Sequence, residues 1–452
     1  MEAREQRALL KQKWAEQGHP CLSLSLNVPG YPKSSPTVAS FFDHCLDELK
    51  YHLGAHQLAV KLEMAIKISD EAGDFFLVPV VSGKHPLEDW KQLCESFEEN
   101  HPLGRFVDVD LNDQQGAPVS SGKSKMCFFC QKEPAIHCRR LKIHDLERVR
   151  GFMFEKMAEY NKKQSESSIV KRLSGLALKA LLYEISLTPK PGLVDKFSNG
   201  SHADMNFLTF LDSSSAISPW FGELVQEGFS FGKEDDSMAL PIIRRIGLKM
   251  EAAMYEVTGK VNTHKGVIFL MGLSLFASGM LYKRYGHIES GHFRSVVAGI
   301  CKDLVQNELT VIPGRELTHG EKIFHEFGFS GARGEAESGF RTVFEQGLPQ
   351  LEETSRLDDE VLTRCFLAIA AVNKDTNILY RSGSEVLSTF QHLCREILKN
   401  FNEANFSLLV SYCETENISP GGSADLLAIA IFIWSAMKVE EKDFNVTYIQ
   451  NK

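Results

Sequence analysis

The segment Arg172–Ile185, RLSGLALKALLYEI, repeats apolar residues at the three- and four-residue spacing of a helix with one buried face. Pro241–Val257 and Asp359–Val372 repeat the pattern as PIIRRIGLKMEAAMYEV and DEVLTRCFLAIAAV. The uncharged run Gly266–Tyr282 is slightly shorter than the about 20 apolar residues of a membrane helix, and Ser and Gly interrupt it. We expect it to be a buried helix, and residues 171–452 to form an all-helical domain.

The preceding part of the chain has a different pattern. From Cys21 to about Leu111, short apolar runs alternate with turn residues, in CLSLSLNVPG, VKLEMAIKI, FFLVPVV and RFVDVDL. Helical patterns cover Arg4–Gln17, Ser40–Leu53 and Pro86–Glu99. We therefore predict a mixed α/β domain over residues 1–160. The polar stretch YNKKQSESS that follows predicts a linker at residues 161–170.

The composition narrows the function classes. The chain has 452 residues, 43% of them hydrophobic and 24% charged, which is typical of a soluble protein with two or three domains. A net charge of −9 argues against a nucleic-acid binder. The first twenty residues are too rich in charge for a secretion signal, so we expect a cytoplasmic protein that does not insert into a membrane. Its ten cysteines should then be thiols or metal ligands rather than disulfides.

Two aspartates stand out in the α/β half. Asp108 and Asp110 lie two apart in RFVDVDL, and on a strand such residues point to one face while Val107, Val109 and Leu111 point to the other. A carboxylate pair of this kind can hold Mg²⁺ against a triphosphate. The alternative is an ordinary strand with a polar face.

A cysteine cluster follows with the spacing C-x2-C-x7-C-x5-H, formed by Cys127, Cys130, Cys138 and His144. This spacing is close to that of structural zinc sites, although the first ligand pair, Cys127 and Cys130, is closer to the second pair than is usual. The alternative is that these are buried or unreactive cysteines that bind no metal. The segment is also basic, with Lys123, Lys125, Lys132, Arg139, Arg140 and Lys142. These residues predict either a docking surface for an acidic carrier protein or a solvated basic face.

The helical half contains motifs that join Gly to charged, Asn or His residues just before helical stretches, namely TPKPGLVDKFSNGSHADM (188–205), GKVNTHKG (259–266), GARGEAESGF (331–340), DTNILYRSG (375–383) and ISPGGSADLLA (418–428). Free N–H groups at helix N-termini suit phosphates, as at Asn262–Lys265 and at Gly421, Gly422 and Ser423. Lys190, Lys265 and Arg333 add positive charge. Oxygen ligands for magnesium are available from Asp195, Asp204, Asp375, Asn377 and Asp425. The alternative is that each loop only caps a helix.

The motifs NVPG (27–30), HPLGRFVDVD (101–110), CFFC (127–130), AIHCRR (135–140) and His144 together resemble the citrate lyase holo-acyl-carrier-protein synthase family, CitX. The resemblance spans most of residues 20–150 and implies a nucleotidyltransferase-like domain. It implies that a serine of an apo acyl carrier protein, the citrate lyase gamma chain, attacks triphosphoribosyl-dephospho-coenzyme A and releases pyrophosphate. Asp108 and Asp110 would be the magnesium ligands, and Lys33 and Arg105 would contact phosphate.

The helical motifs PKPGLVD, NTHKG, RGEA and SPGGSADLLA resemble the triphosphoribosyl-dephospho-coenzyme A synthase family, CitG, across roughly Leu173–Trp434. The resemblance implies that the ribose 2′-hydroxyl of 3′-dephospho-coenzyme A displaces adenine from ATP. Such displacement at a glycosidic carbon requires a base, a proton donor and a magnesium-bound triphosphate. Glu335 or Asp204 are the candidate bases, and His202 and His264 are the candidate donors.

Two other functions fit parts of the sequence. The strings DTN and GGSADLL are also similar to acidic pairs of helical, magnesium-dependent enzymes that remove ADP-ribose by N-glycosidic hydrolysis. A zinc-bearing protein that binds nucleotide and carrier without turnover is the non-enzymatic alternative. Adenine release without dephospho-coenzyme A would favour hydrolysis, and absence of any product would favour the binding protein.

Overall fold

The computed structural model describes residues 2–81, 85–120, 122–309, 317, 319–352 and 354–439. The chain divides into two compact units, Met1–Glu166 (unit 1) and Ser167–Lys452 (unit 2). The boundary falls inside one helix, Leu146–Ser186.

Unit 1 contains a small antiparallel sheet with the strand order β2-β3-β1-β4. Its strands are β1 (Cys21–Leu26), β2 (Ile66–Asp70), β3 (Gly73–Pro79) and β4 (Val107–Asn112). Its helices are α1 (Glu2–Glu16), α2 (Pro36–Ala55), α3 (Leu87–Asn100), α4 (Ala135–Arg140) and the first part of α5 (Leu146–Ser186). The mixed α/β architecture predicted for this half is therefore present.

The alternation of apolar and polar residues assigns the two faces of this sheet. Leu22, Leu24, Val107 and Val109 are buried in a core that includes residues of α2 and α3. In the register of β1 and β4, Ser23 pairs with Asp110 and Ser25 pairs with Asp108, so the two aspartates lie on the opposite face. Trp14 of α1 packs on that same face against Cys21, Phe75 and Leu77.

Unit 2 contains helices and loops, with no strand among its described residues. It comprises the end of α5 followed by α6 (Phe207–Ile217), α7 (Phe221–Ser230), α8 (Leu240–Val257), α9 (Lys265–Tyr285), α10 (Ser290–Ile300), α11 (Leu304–Leu309), α12 (His319–Phe327), α13 (Gly331–Glu337), α14 (Asp359–Ala370), α15 (Thr376–Lys399), α16 (Glu403–Thr415) and α17 (Gly421–Met437). One extended hydrophobic core joins these helices. The predicted all-helical architecture is present here as well.

The centre of unit 2 is α9, which is buried from Val267 to Tyr282 except at Phe269. It packs closely against α7, where a Cβ on Gly228 would lie 2.2 Å from the Phe276 carbonyl oxygen and a Cβ on Gly279 would lie 2.2 Å from that of Val225. Among the described helices, α9 alone is long and apolar enough to span a membrane, and most of it is buried within the protein. The apolar run Gly266–Tyr282 is thus a core helix, as its interruptions by Ser and Gly predict.

Two local predictions differ from the structure. In the predicted strand VKLEMAIKI, Leu62–Met64 form a 3-10 turn and the strand begins at Ile66. The predicted linker, residues 161–170, is helical and belongs to α5. Its residues include good helix formers, and neither Gly nor Pro occurs between Gly151 and Gly175. The polar side chains of this stretch therefore belong to the surface of a helix and not to a flexible linker.

Candidate active sites

A cavity of about 440 Å³ in unit 2 (cavity 1) collects most of the predicted site residues. The N-termini of α9, α15 and α17 open onto it, at Lys265, Thr376 and Gly421. The positive end of the helix dipole at each terminus favours an anion. Gly421 and Gly422 also line the cavity, and a Cβ on Gly421 would lie 2.7 Å from Nδ2 of Asn377. These three termini therefore lie together in the wall of cavity 1.

Buried carboxylates face this wall. Asp375, Asp425 and Glu184 line cavity 1 and are buried or nearly so. Burial raises the pKa of Asp425 well above its usual value, and the charges of Glu184 and Asp375 raise it further. Burial also raises the pKa of Asp375. Concentrated negative charge of this kind in a buried place fits a cation, and these oxygen donors suit magnesium.

Two of the predicted magnesium ligands have structural contacts. Asp375 caps α15 through Asn377 N at 3.0 Å and accepts hydrogen bonds from Ser423 N at 2.8 Å and Ser423 Oγ at 3.0 Å. Asp195 does not line cavity 1, and its oxygens accept N–H groups from Lys190, Phe197 and Ser198. Ser423 is turned toward Asp375 and is likewise absent from the cavity wall.

Lys190 enters the cavity as part of a buried ion pair. Its Nζ lies 2.5 Å from Oε1 of Glu184, and both side chains are almost fully buried. Such a pair requires excellent geometry, because each ion loses its hydration. Glu184, in the helical stretch Arg172–Ile185, was not among the predicted site residues.

His264 ends a short chain of hydroxyl groups. Thr263 Oγ1 donates to Ser213 Oγ at 2.7 Å, and Ser213 Oγ lies 2.6 Å from Nδ1 of His264. A Ser213 hydroxyl that donates to Nδ1 would leave the ring proton on Nε2. Nε2 is buried without a hydrogen-bond partner among the described residues. Burial, with the charge of Lys190 as a second cause, lowers the pKa of His264 to about 3, so its ring is neutral at pH 7.

His202 and Asp204 lie together at the edge of cavity 1. Nδ1 of His202 is 3.9 Å from Oδ1 of Asp204, and Nε2 of His202 is 2.8 Å from Oγ of Ser419. Burial and the charge of Arg381 lower the pKa of His202. The Asp204 side chain is 63% exposed, so it can accept a proton and exchange it with solvent.

Three further predicted residues have partners. Glu335 lines cavity 1, but Oε1 accepts Thr342 N at 2.7 Å and Oε2 accepts the Thr342 hydroxyl at 2.9 Å. Asn262 lines the cavity and accepts Lys265 N at 3.1 Å, which closes the turn before α9. Lys265 Nζ lies 3.3 Å from Glu251.

Arg333 lies in a second cavity of about 460 Å³ (cavity 2), which shares Lys265, Gly266 and Ala332 with cavity 1. Arg333 and Arg244 both pair with Glu308, Arg333 Nε at 2.7 Å, so two guanidinium groups share one carboxylate. The remaining wall is largely apolar, with Ile243, Leu248, Ile268 and Phe269. Cavity 2 therefore suits a ligand with phosphate at one end and an apolar portion at the other.

In unit 1 the aspartate pair forms a separate site. Asp108 is partly exposed and lies 3.4 Å from Nζ of Lys125, which also lies 2.6 Å from Glu98. Loss of hydration and the charge of Asp108 raise the pKa of Asp110. The two residues predicted to contact phosphate donate hydrogen bonds to backbone carbonyls instead. Arg105 donates to the Met126 carbonyl at 2.9 Å, and Lys33 donates to the Val28 carbonyl. Burial, then Arg4 and Arg150, lower the pKa of Lys33.

The cysteine cluster and the basic patch lie in the same segment of unit 1. The ligand atoms of Cys127, Cys130, Cys138 and His144 all lie within 4.8 Å of one another. All ten cysteines of the chain are free thiols. Within the patch, Lys123 pairs with Glu95 and Glu99, whereas Arg139 and Arg140 are exposed.

Sequence reasoning missed Glu184, Arg381 and the Arg244–Glu308 pair. Glu184 has a local signal, since it is a charged residue within an apolar helical stretch. Arg244 and Glu308 are far apart in sequence and belong to α8 and α11, so only the packing of these helices brings them together.

The fold and the sites define a transferase with two units, each with its own cluster of charged side chains. Residues 170–444 match the ATP:dephospho-CoA triphosphoribosyl transferase family, and residues 1–160 match the apo-citrate lyase phosphoribosyl-dephospho-CoA transferase family. The chain belongs to the family that joins these two transferases, CitG and CitX, in one polypeptide.

The chain is similar to relatives that match nearly all of it and to relatives that match only part of it. "Protein CitXG" of Haemophilus influenzae is 30% identical over 96% of this chain and 95% of its own length. "Protein CitXG" of Leuconostoc mesenteroides subsp. cremoris is 32% identical over 91% and 90%. A 2-(5''-triphosphoribosyl)-3'-dephosphocoenzyme-A synthase of Pectobacterium atrosepticum is 39% identical over 62% of this chain and 92% of its own length. These matches favour the two transferases over N-glycosidic hydrolysis.

Proposed function

We propose that unit 2 transfers the triphosphoribosyl group of ATP to the 2′-hydroxyl of 3′-dephospho-coenzyme A, and that unit 1 attaches the product to an apo acyl carrier protein. The observation that carries this proposal is the convergence of three helix N-termini and buried carboxylates on cavity 1. Backbone N–H groups bind the triphosphate, and the carboxylates hold a cation beside it.

Asp425 and Asp375 are the proposed magnesium ligands in cavity 1. Both carboxylates line cavity 1 and raise each other's need for a cation, whereas Asp195 does not line the cavity and binds the N–H groups of its own loop. Magnesium is usually held by one or two carboxylates together with substrate phosphates, so ATP is expected to complete its coordination. The ion would offset the charge of the triphosphate and orient it.

In the reaction, a bond forms between the 2′-oxygen of dephospho-coenzyme A and C1′ of the ATP ribose, and the bond from C1′ to adenine breaks. We assign Asp204 as the base that takes the hydroxyl proton, because Glu335 already accepts hydrogen bonds from Thr342 on both oxygens. We assign Nε2–H of neutral His264 as a hydrogen-bond donor that stabilises the negative charge on the departing adenine, because this atom is buried and unpartnered among the described residues; the adenine takes its proton from solvent. Asp204 later returns its proton to solvent.

Cavity 2 is the proposed binding site for dephospho-coenzyme A. It adjoins cavity 1 at Lys265 and Gly266, so a hydroxyl at its edge lies near the ATP site. Arg244 and Arg333 provide guanidinium groups for the pyrophosphate of this substrate. The apolar wall suits the pantetheine arm.

In unit 1 we propose a nucleotidyltransferase-like site in which Asp108 and Asp110 hold magnesium. The carrier serine oxygen attacks the phosphate next to the ribose, and pyrophosphate leaves with the electron pair of the broken bond. A metal ion on Asp108 would displace Lys125 from that carboxylate. Lys125 could then contact a phosphate while it stays paired with Glu98. Exposed Arg139 and Arg140 are the proposed docking contacts for an acidic carrier. We also propose that the protein acts in the cytoplasm.

The test measures adenine released from ATP with and without dephospho-coenzyme A. The proposal requires that adenine appear only when both substrates are present, one molecule for each triphosphoribosyl product. Release from ATP alone would support N-glycosidic hydrolysis, and no release under either condition would support a binding protein without turnover.

A further inference from the structure

We propose that Cys127, Cys130, Cys138 and His144 bind one zinc ion in a closed, structural site, a property that does not depend on the proposed reactions. The four ligand atoms converge within 4.8 Å. Sγ of Cys130 lies 3.7 Å from Sγ of Cys138. In a tetrahedral site with zinc–sulfur bonds of about 2.3 Å, two sulfurs are about 3.8 Å apart. Cys130 and Cys138 therefore already have the spacing that zinc requires, and the other two ligand atoms lie near them.

Two tight turns present these ligands. Gln131 has a φ of 54° and donates its N–H to the Cys127 carbonyl at 2.9 Å, which closes the loop that carries Cys127 and Cys130. Lys142 has a φ of 48°, and Ile143 N donates to the Cys138 carbonyl at 3.1 Å, so that the chain reverses before His144. Neither reversal contains glycine, and a non-glycine residue at positive φ needs compensating contacts. Coordination by one ion would provide them for both turns.

The segment has little buried apolar surface of its own, and Phe128 and Phe129 are its partly buried contacts with the rest of unit 1. Between residues 123 and 145, Cys127 and Cys138 are the only buried residues. The large apolar side chains Ile136, Leu141 and Ile143 are exposed. A segment with so few buried apolar residues gains from a cross-link that offsets its conformational entropy. Free thiols do not provide one, whereas a metal bound by four side chains does.

His144 adds a second, independent observation. Its Nε2 is buried and has no hydrogen-bond partner among the described residues. The ring packs against Phe129, with 5.1 Å between the ring centroids, which fixes its orientation beside the cysteines. A buried imidazole nitrogen without a partner is costly, and a bound metal ion removes that cost.

The zinc site would also order the neighbouring aspartate site. Met126, just before Cys127, accepts hydrogen bonds from Arg105, and Lys125 lies 3.4 Å from Asp108. Loss of the metal should therefore release Lys125 and Arg105 from their positions, as well as the basic residues of α4. Because the site is in unit 1, adenine release by unit 2 should not change.

The first experiment is elemental analysis of the full chain purified without chelators. We expect about one zinc per chain, and Co²⁺ substituted into the site should show the intense visible bands of a tetrahedral ion with thiolate ligands. Cys130→Ala should lose the metal, whereas Cys94→Ala, at a buried cysteine outside the cluster, should retain it.

Native wild-type protein that contains neither zinc nor a site for Co²⁺ would overturn the proposal, whatever the folding of the variants. So would iron in place of zinc, or a mass two hydrogens lower that maps to a Cys130–Cys138 disulfide. Limited proteolysis adds a readout independent of activity: a zinc-selective chelator, with magnesium in excess, should expose residues 125–144 to cleavage while adenine release continues.

Discussion

Gly266 and Asp425 lie against each other in the wall of cavity 1: a Cβ atom on Gly266 would be 2.0 Å from Oδ2 of Asp425. The first turn of α9 thus leaves room for a buried carboxylate only because residue 266 has no side chain. The contact places the proposed magnesium ligand beside the helix N-terminus that is proposed to bind the triphosphate.

Gly266→Ala should therefore displace Asp425 and reduce the rate of adenine release about 100-fold, since misplacement by about 1 Å can cost that much. Gly175→Ala is the matched control, because a Cβ there meets nothing within 4 Å and the residue is also helical. The measurement is the steady-state rate of both variants. Wild-type activity in Gly266→Ala would remove Asp425 from the site.

Asp204→Asn should reduce adenine release by about 10²–10⁴-fold, as expected for loss of a general base. Because the Asp204 side chain is 63% exposed, the thermal unfolding temperature should stay within about 1 °C of wild type. Glu335→Gln provides the comparison: its Thr342 hydrogen bonds predict lower stability instead. Full activity after the Asp204→Asn substitution would exclude Asp204 as the base.

Arg244→Gln should raise the KM for dephospho-coenzyme A about tenfold or more and leave the KM for ATP nearly unchanged, because the lost contact is one charge-assisted hydrogen bond in cavity 2. Arg245→Gln, one residue along α8, is the control, since Arg245 pairs with Glu227 outside this cavity. Equal effects on both KM values would mean that cavity 2 does not bind the second substrate.

His264 should remain neutral through the physiological range. Its pKa is lowered to about 3, and a histidine with a depressed pKa charges only when the pH falls below that value. Nitrogen NMR of ¹⁵N-histidine protein should show the Nε2–H tautomer of His264 at about pH 6, below the usual histidine pKa of about 6.5. An imidazolium signal for this residue with a midpoint near that usual value would contradict the assignment of a neutral donor.

Arg139→Glu with Arg140→Glu should slow transfer to the carrier protein about tenfold or more at low salt, with a smaller effect at high salt, because exposed charges are screened. Both side chains are exposed on α4. Adenine release by the same variant serves as the internal control. Unchanged transfer would place the docking surface elsewhere.

Local periodicity was sufficient to predict the two architectures and the common face of Asp108 and Asp110, because alternation along a strand depends only on neighbouring residues. It could not separate a flexible linker from an exposed helix at residues 161–170, since both are polar. The site was predicted in part: the loops before α9, α15 and α17 were found from Gly and Asp signals.

The roles within cavity 1 needed tertiary structure. Asp195 and Asp425 occupy similar motifs, yet Asp195 binds nearby N–H groups and Asp425 is buried beside Gly266. Arg333 was predicted for the same pocket as Lys190 but lies in cavity 2, because α13 meets α11 there. Such differences depend on residues far apart in sequence.

One chain is proposed both to build a prosthetic group and to attach it. The most direct measurement is the intact mass of the carrier protein after the apo carrier has been incubated with this protein, ATP and dephospho-coenzyme A. We predict an increase equal to one phosphoribosyl-dephospho-coenzyme A group, with release of adenine and pyrophosphate, only when both substrates are present. A carrier of unchanged mass after adenine has been released would contradict the proposal for unit 1, and unchanged mass without adenine release would contradict it for the whole chain.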